Sequence, residues 1–379
     1  MSLAIYIHWP FCKKKCPYCD FNSHVREQVD HGLWRQSLLT ELRYWKEQTA
    51  GERVASIFFG GGTPSLMEPA TAGALIEEVN KIYGLDDGCE ITLEANPTSV
   101  EAAKFIELAA AGINRASLGV QSLKDESLKF LGREHSAREA LAAVALAARH
   151  FKRYSFDLIY ALPGHTPAAW EAELKEALRY AEGHLSLYQL TIEENTAFHH
   201  AYHTRHEFDL PAEPVAADLY LHTQQIMEAA GLPAYEISNH ARPGEESRHN
   251  LAYWRGTSYL GIGPGAHGRV GNLATRALKS PERWLEAVSQ HGHGLEEQEA
   301  LTPTERMEEK TLMGLRLTQE GLRYDRFTPD EREAFLERTS DGRLDRFLLQ
   351  QLLQQKDGVL RATPQGQLVL NTLITQLLR

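Results

Sequence analysis

The sequence predicts an α/β protein: a partial TIM-like (βα)6 barrel followed by a small, mostly helical, winged-helix-like C-terminal domain. Short apolar runs alternate with longer amphipathic stretches over residues 3–270, a pattern typical of βα units around a parallel sheet. The 379 residues also exceed what one hydrophobic core usually holds. We therefore divide the chain into a barrel with extensions (1–270), a connecting segment (271–300) and a small domain (301–379).

Six predicted strands form the barrel, and helical crossovers separate them, as parallel strands require. The strands lie near residues 3–8, 54–59, 90–95, 115–120, 154–160 and 185–191. Helical patterns cover residues 34–45, 70–82, 137–148 and 215–230. In such a barrel, functional side chains are expected just past the carboxyl ends of the strands, on the βα loops.

A trio of cysteines follows the first predicted strand. Cys12, Cys16 and Cys19 have the spacing C-x3-C-x2-C, with which one loop can present three thiolates to a 4Fe-4S cluster and leave its fourth iron open. Zinc is the alternative, but a structural zinc site usually takes four protein ligands. An odd trio in a chain with no secretory segment disfavours disulfides. The fourth cysteine, Cys89, is not expected to take part.

Polar candidates also occur at the ends of the second, third and fourth strands. Gly61, Gly62 and Thr63 belong to a G-G-G-T-P run whose backbone N–H groups could approach a ligand, although a tight strand-to-helix turn also explains it. Glu94 would stand at the barrel mouth and accept hydrogen bonds from a ribose or an amine, unless it is an ion-paired rim residue. The amide of Gln121 would lie at the same mouth.

Two charged residues follow. Arg133 suits a carboxylate partner, because a guanidinium group can make two parallel hydrogen bonds to one. Asp157 interrupts an apolar run, so we expect it to face the cavity or Arg133 and not the outer layer of helices. His135, beside Arg133, receives no role.

A histidine cluster, His199, His200, His203 and His206, comes after the sixth strand. On a helix, His199 and His203 would share a face and could bind a metal ion. The acidic and polar surroundings instead favour a solvated loop.

His249 opens the block H-N-L-A-Y-W. Its imidazole could be an axial iron ligand, and Tyr253 and Trp254 could cover a porphyrin face. The alternative is a polar turn that leads into a core aromatic pair. His240 and His267 lie on neighbouring segments and could replace His249 as ligand.

The small domain begins with a clear helix start, with Thr302 as N-cap, Pro303 at the first position and Glu305 completing a capping box. Helical patterns follow around 329–338 and 344–355, then residues 358–362, a turn at Pro364 and a last helix that ends near Leu378. Residues 301–379 contain equal numbers of basic and acidic side chains and no basic stripe. We therefore expect a packing or gating role and not DNA binding.

The overall charge limits the partners. The chain has 51 acidic and 40 basic residues and a formal charge of −11, which disfavours broad attraction to nucleic acid or anionic lipid. No apolar run approaches the roughly 18–20 residues of a membrane span. We expect a soluble cytoplasmic protein, for which peripheral membrane contact remains open.

The joint pattern resembles the HemN/HemW group of radical S-adenosylmethionine (SAM) proteins, which contains oxygen-independent coproporphyrinogen III oxidases and haem chaperones. The cysteine trio, the G-G-G-T-P run, Glu94, the Gly119–Gln121 run and the Asp157–Tyr160 run occur in the right order, and the likeness covers almost the whole chain. The resemblance implies that a 4Fe-4S cluster carries SAM. It also implies that the following residues occupy the cofactor positions: Tyr6, Cys12, Cys16, Tyr18, Cys19, Gly61, Gly62, Thr63, Glu94, Gln121, Arg133 and Asp157.

Three features favour the haem-chaperone branch of this group. Phe21 stands where the oxidase pattern has a fourth cysteine, and the long arm that precedes the oxidase cluster is absent before Cys12. The block that begins at His249 matches the haem-associated block of the chaperones. The resemblance thus implies haem binding, transfer of haem to an acceptor protein and no coproporphyrinogen oxidase activity. The oxidase reaction and a radical reaction on another substrate are the alternatives.

Two further partners are compatible with the sequence. A flavodoxin-like electron donor could be attracted by Lys13, Lys14 and Lys15, although these lysines could equally be solvated. The resemblance also allows a homodimer.

Overall fold

The computed structural model describes residues 2–49 and 51–379. The strands in these ranges, β1 to β16 in chain order, are Ser2–Trp9, Phe11–Cys12, His24–Val25, Arg53–Gly61, Leu85–Ala95, Arg115–Gln121, Arg153–Tyr160, His184–Gln189, Asn239–Ala241, Tyr259–Ile262, His267–Val270, Leu273–Ala277, Leu295–Ala300, Leu322–Arg323, Leu353–Lys356 and Val359–Ala362. The α-helices, α1 to α16, are His31–Tyr44, Pro69–Tyr83, Ser99–Ala102, Phe105–Ala110, Asp125–Phe130, Ala137–His150, Pro167–Ala177, Ala197–His199, Glu213–Ala229, Arg248–Trp254, Pro281–His291, Pro303–Gly314, Pro329–Arg338, Arg343–Leu349, Pro364–Leu368 and Leu370–Leu377. None of these helices has the length and apolar composition needed to cross a bilayer.

The largest sheet contains eleven strands in the order β13-β12-β11-β10-β1-β4-β5-β6-β7-β8-β9. The six strands predicted from the sequence are β1 and β4 to β8, and they are parallel neighbours in chain order, which confirms the prediction. Strand β10 pairs with β1 in parallel, and β9 and β11 to β13 add antiparallel strands at the two ends of the sheet.

The sheet curves into an open barrel. Cys12, just after β1, and Tyr188, in β8, line the same cavity, although a flat sheet would separate their strands by about 24 Å. Alternation along β1 assigns its side chains to the two faces. Ile5 and Ile7 are fully buried in the main hydrophobic core, whereas Tyr6 stacks on Phe58 inside the barrel, with ring centroids 6.2 Å apart.

Residues 271–300, which the sequence places between the two domains, contain β12, α11 and β13. The two strands extend the large sheet at one end. Trp284 of α11 is fully buried and stacks on Trp34 of α1 at a centroid distance of 5.3 Å. The buried carboxylate of Glu41 accepts hydrogen bonds from the N–H groups of Gly263 and Gly294, each at 2.7 Å. Strand β13 reads L-E-E-Q-E-A and is largely exposed, so it has no apolar pattern that would reveal it in the sequence.

The C-terminal residues form five helices, α12 to α16, around the three-stranded sheet β14-β16-β15. The predicted capping box is present, since the Thr302 hydroxyl accepts from the N–H of Glu305 and the Glu305 carboxylate accepts from the N–H of Thr302. Phe335, Leu360 and Leu373 belong to a second hydrophobic core, separate from that of the barrel.

The helix predicted around 344–355 is wrong in its second half. Helix α14 ends at Leu349, and Gln351 then has a positive φ of 56°. Residues 353–356 form β15, which turns through Asp357 and Gly358, both with positive φ, into β16. Asp-Gly is a common two-residue hairpin turn, so the sequence contained the signal for this hairpin. Pro364 begins helix α15 and is not in the predicted turn.

The C-terminal domain contacts the barrel through polar groups. The Arg269 guanidinium lies 2.6 Å from the Glu309 carboxylate, and the N–H of Thr318 donates to the carbonyl of Tyr235 at 3.1 Å. The Tyr220 hydroxyl donates to Gln367 at 3.1 Å.

Candidate functional site

A cavity of about 620 Å³ opens at the carboxyl ends of the barrel strands. Eleven of the thirteen site residues predicted from the sequence line it, and Tyr6 and His249 do not. The eleven are Cys12, Cys16, Tyr18, Cys19, Gly61, Gly62, Thr63, Glu94, Gln121, Arg133 and Asp157. Residues that are far apart in the sequence meet here because parallel strands present their carboxyl ends at one edge of the sheet.

The cysteine loop runs between β2 and β3, which pair in parallel. Within the loop, the N–H of Cys19 donates to the carbonyl of Cys16 at 3.2 Å. The N–H of Phe198, from the segment after β8, donates to the carbonyl of Pro17 at 2.9 Å and holds the loop from outside. Burial raises the pKa of the Cys12 and Cys19 thiols, and the charge of neighbouring thiolates adds to the rise.

A chain of hydrogen bonds connects two of the three sulfurs. Arg133 Nη1 donates to Cys16 Sγ at 3.3 Å, and its Nη2 donates to Asn96 Oδ1 at 2.6 Å. Asn96 Nδ2 then donates to Thr63 Oγ1 at 3.2 Å, and that hydroxyl donates to Cys12 Sγ at 3.3 Å. Donors at both sulfurs favour the thiolate form, which is the form that binds iron.

Asn96 was not predicted as a site residue from the sequence. Its side chain links Arg133 to Thr63, and it lines the cavity. The available signal was its position directly after β5, at the strand end where functional side chains are expected.

The glycine run allows close packing of the backbone. Its N–H groups were predicted to be available to a ligand, but in the structure they donate to groups of the same chain. The N–H of Gly61 donates to Glu94 Oε2 at 3.2 Å, that of Gly62 to the Trp9 carbonyl at 2.7 Å, and that of Thr63 to the Phe11 carbonyl at 2.9 Å. Gly61 has φ of 113°, and a Cβ atom on Gly62 would lie 2.7 Å from the Phe11 carbonyl oxygen. The absent side chains therefore leave room for His8 and the Phe11 backbone, while Gly61, Gly62 and Thr63 line the cavity wall.

Two half-buried carboxyl groups, those of Glu94 and Asp157, face the cavity. Burial and the charge of Asp157 raise the pKa of Glu94 to about 8, and the hydrogen bond from the Gly61 N–H opposes this rise. Burial also raises the pKa of Asp157 to about 6, although a hydrogen bond from Ser186 and the charges of two arginines oppose the rise. Neither group has a full complement of donors, so the cavity favours a ligand that brings positive charge or hydrogen-bond donors.

Gln121 adds an amide to this wall. It ends β6 with a positive φ of 72°, at a point where the register between β6 and β7 shifts. Its Oε1 atom is buried and has no hydrogen-bond partner among the residues that the structure describes. A buried acceptor without a donor is costly, and a ligand that donates to it would remove that cost.

The cavity suits a 4Fe-4S cluster with SAM. Within residues 2–49 and 51–379, no group of three or more His, Cys, Asp or Glu side chains is placed to hold a metal ion. A cluster needs one thiolate at each of three separate irons, and three thiols line this cavity. The ammonium and sulfonium charges and the ribose hydroxyls of SAM would provide the donors and positive charge that Glu94, Asp157 and Gln121 lack.

Tyr6 lies behind the cavity wall and braces the cysteine loop. Its hydroxyl is 3.0 Å from His8 Nδ1, and His8 Nε2 is 2.8 Å from the carbonyl oxygen of Asn22, which is in that loop. Burial lowers the pKa of His8 to about 4, so the imidazole is neutral and can both donate and accept. Tyr6 therefore acts on the loop through His8.

His249 lies inside the barrel near the amino-terminal ends of the strands. Its Nδ1 is 3.0 Å from the Ser56 hydroxyl, its Nε2 is 2.8 Å from the Tyr253 hydroxyl, and its ring stacks on Phe58 at 4.9 Å. The residue is 1% exposed, and burial lowers its pKa to about 3. Haem ligation by His249 stays a prediction. It requires one nitrogen to leave its hydroxyl partner and the ring to become accessible.

Three residues of the histidine cluster, His199, His200 and His203, are helical, so the predicted loop is wrong for them, and His206 follows the helical turn. His200, His203 and His206 are exposed, as the prediction of a solvated segment expected. Helix α8 continues into a π-helical turn over His200–Thr204, and the rings of His199 and His203 are 4.6 Å apart. Phe198 packs against Phe130 and holds this segment on the barrel. In the described part of the chain, these histidines belong to no group of three metal-ligating side chains.

Two family models match the chain. The model of the radical SAM superfamily matches residues 6–177, and the model of the HemN C-terminal domain matches residues 301–369. Among solved structures, coproporphyrinogen III oxidase (HemN) from Escherichia coli superposes with a TM-score of 0.83, at 23% sequence identity, covering 99% of this chain and 90% of that one. At that identity the likeness shows the fold alone.

Curated relatives cover nearly the full chain. A protein named heme chaperone HemW from Escherichia coli is 36% identical over 98% of this chain and 97% of its own length. Radical S-adenosyl methionine domain-containing protein 1, mitochondrial, from Mus musculus is 39% identical over 99% of this chain and 87% of its own length. A HemW from Bacillus subtilis is 33% identical over 86% of both chains. The chain therefore belongs to the HemW family of the radical SAM superfamily.

Proposed function

We propose that the protein is a haem chaperone that carries a 4Fe-4S cluster with SAM in the barrel cavity and passes haem to an acceptor protein. One observation carries the proposal: the cavity gathers three thiols, two carboxyl groups and an amide oxygen that has no partner among the described residues, in a chain that matches a heme chaperone HemW over 98% of its length. The thiols and the acidic wall support the cofactors, and the family relationship supports haem as cargo.

The chain's own residues would hold the cluster as follows. Cys12, Cys16 and Cys19 ligate three irons, while Thr63 and Arg133 donate hydrogen bonds to two of the sulfurs. When bound, the cluster supplies an open iron that chelates SAM and an electron that can cleave it. The bonds from Thr63 and Arg133 lower the electron density at sulfur and tune the reduction potential.

The SAM-binding roles follow from the wall opposite the thiols. Gly61, Gly62 and Thr63, which line the cavity, would surround the methionyl amine, and Glu94 would accept from the ribose hydroxyls or the amine. Asp157 and Gln121 accept from the remaining donors. Tyr18, whose hydroxyl lies 3.4 Å from Arg133 Nη1, would close the cofactor site beside the cluster.

Anaerobic reconstitution with iron and sulfide tests the proposal. We expect one 4Fe-4S cluster per chain, a change in the EPR spectrum of the reduced cluster when SAM is added, and saturable haem binding near one equivalent. Transfer is measured by mixing haem-loaded protein with a haem-free acceptor such as an apo-cytochrome and following the Soret band. A chain that binds no haem after reconstitution would overturn the chaperone function.

The oxidase alternative is tested in the same preparation. We expect no catalytic conversion of coproporphyrinogen III to protoporphyrinogen IX with SAM and a reductant, because Phe21 replaces the fourth cysteine of the oxidase pattern. Turnover of that substrate would favour the oxidase. A flavodoxin-like donor, a homodimer and a cytoplasmic location stay predictions, which pull-down, light scattering and cell fractionation address.

A further inference from the structure

The buried carboxylate of Glu101 lies next to the hydrogen bonds that reach the cysteine sulfurs. Glu101 belongs to the short helix α3, which follows the segment that carries Asn96, and it borders the cavity. Its side chain is almost completely removed from water, with 2% of the residue exposed. A carboxylate in such a place is costly unless it accepts several hydrogen bonds, so its donors indicate what the residue does.

Four donors from the chain surround the Glu101 carboxylate. Its Oε2 accepts from the backbone N–H of Asn96 at 2.9 Å and from the Ser65 hydroxyl. Its Oε1 accepts from Asn96 Nδ2 at 3.3 Å and from the Thr98 hydroxyl at 3.4 Å. Asn96 thus donates to the carboxylate from both its backbone and its side chain. The carboxylate therefore fixes the side chain of Asn96 relative to its own backbone.

The partners of Asn96 determine the orientation of its side-chain amide. An amide has an acceptor end and a donor end, and a half-turn exchanges them. In the structure, Asn96 Oδ1 accepts from Arg133 Nη2, and Asn96 Nδ2 donates to Thr63 Oγ1 and to Glu101 Oε1. A guanidinium group only donates and a carboxylate only accepts. Arg133 and Glu101 together therefore select this orientation over the reversed one.

The orientation of the amide decides where the Thr63 hydroxyl proton goes. While Asn96 Nδ2 donates to Thr63 Oγ1, the hydroxyl donates its own proton to Cys12 Sγ at 3.3 Å. In the reversed amide, Oδ1 would face Thr63 and compete with the sulfur for that proton. Loss of the donor raises the electron density at Cys12 Sγ, which lowers the reduction potential of a bound cluster.

We propose that Glu101 is a positioning residue for the cluster: it holds the Asn96 amide so that the Thr63 hydroxyl donates to Cys12 Sγ. This role rests on the cluster of the proposed function and extends the network around it by one residue, which acts through Asn96 and Thr63. The alternative is a structural role in the turn before α3, where the N–H of Glu101 also donates to the Thr98 hydroxyl at 3.3 Å.

Glu173 provides a matched control for the structural role. It is 3% exposed, and it accepts from the Ser122 hydroxyl at 2.6 Å and from the N–H of Leu123 at 2.7 Å, just after β6. It therefore resembles Glu101 in its burial and in its serine and backbone donors, but it lies outside the cavity lining. We expect Glu101→Gln and Glu173→Gln to lower the free energy of unfolding of cluster-free protein to a similar extent.

Redox titration of the reconstituted full-length protein, without SAM, separates the two roles. In Glu101→Gln, the remaining oxygen keeps the backbone N–H of Asn96, so the new NH2 group faces the Asn96 side chain and favours the reversed amide. We expect the reduction potential to fall by about as much as in Thr63→Val, which removes the same donor, and to stay at the parent value in Glu173→Gln. Adding Glu101→Gln to Thr63→Val should cause no further fall, because both changes act on one hydroxyl.

A second measurement does not depend on the folding of Glu101→Gln. In the full-length parent with isotopically labelled asparagine, the side-chain amide signal that is lost in Asn96→Ala should exchange slowly with heavy water, because both its protons are donated to buried acceptors. Fast exchange would overturn the positioning role.

The redox results can also overturn it. A parent-like potential in Glu101→Gln beside a lowered one in Thr63→Val would do so, as would equal falls in Glu101→Gln and Glu173→Gln, or additive falls in the double variant. A parent protein that holds no cluster after reconstitution would instead remove the proposed function.

Discussion

The two ends of the barrel contain similar side chains but differ in how these side chains are partnered. At the amino-terminal ends of the strands, the Glu90 carboxylate accepts from Arg153 Nη1 at 2.8 Å, from the N–H of His249 at 3.2 Å and from the Ser247 hydroxyl at 3.4 Å. At the carboxyl ends, Glu94 accepts one hydrogen bond from the residues that the structure describes, that from the N–H of Gly61. Both glutamates belong to β5 and point to the same interior.

Helix α10 accounts for the difference. It begins after the N-cap Ser247 and inserts His249 beside Ser56. The helix thereby closes the amino-terminal end of the barrel, here called the lower end. Within residues 2–49 and 51–379, no helix covers the carboxyl-terminal end of the barrel, here called the upper end, in this way, and the cavity there reaches solvent. Glu90 is satisfied by groups of its own chain, so its role is structural, whereas Glu94 and the Gln121 Oε1 atom face the cavity and can accept hydrogen bonds from a ligand.

The largest effect is expected at the upper end, on replacing Cys16 by Ala. Two thiols cannot hold the cluster at three corners, so we expect loss of nearly all reconstituted iron and of the cluster absorbance. Cys89→Ala is the matched control, because Cys89 is a buried cysteine outside the cavity lining. Retention of iron in Cys16→Ala together with its loss in Cys89→Ala would show that the wrong thiols were assigned.

At the lower end, Glu90→Ala should mainly reduce stability. The change leaves Arg153 without its buried partner and removes an acceptor from the start of α10, so we expect a loss of about 3 kcal/mol in the free energy of unfolding. Urea unfolding of cluster-free protein measures it. The control, Glu282→Gln, breaks an exposed ion pair with Arg26 and should cost less than about 1 kcal/mol. Similar losses in both variants would contradict the structural role of the lower end.

These contrasts show what the sequence could and could not predict. The parallel strands and the cavity residues were predictable, because apolar runs mark buried strands and strand ends converge at one edge. The environment of His249 was not, since it depends on a helix that packs against strands nearly two hundred residues earlier in the chain. Similarly, Asn96 acquires its role only when Arg133 and Thr63 are brought to it by folding.

The pH dependence of stability should report Glu94. Its pKa is raised from 4.5 to about 8, so the folded state keeps a proton that the unfolded state releases. The resulting stabilisation is complete below about pH 4.5 and is lost as pH rises through about 8, with a slope of at most about 1.4 kcal/mol per pH unit. In cluster-free protein, Glu94→Gln should flatten the decline in unfolding free energy between pH 5 and 8. An unchanged slope would show that Glu94 is solvated or paired.

The smallest effects come from one hydroxyl at each end, replaced in Ser56→Ala and Thr63→Val. Ser56 is buried and is the partner of His249 Nδ1, so its removal leaves an imidazole nitrogen without a hydrogen bond and should cost about 1 kcal/mol of stability. Cluster content and the SAM-induced EPR change should stay as in the parent, because the hydroxyl is at the closed end.

Thr63→Val should affect the cluster and not the stability. It removes the hydrogen bond to Cys12 Sγ and should therefore shift the reduction potential of the reconstituted cluster with little change in the free energy of unfolding. A change in the SAM-induced spectrum of Ser56→Ala would contradict a purely structural role of the lower end. It would show that the two ends are coupled through Phe58 and Tyr6, whose rings lie between His249 and the cavity wall.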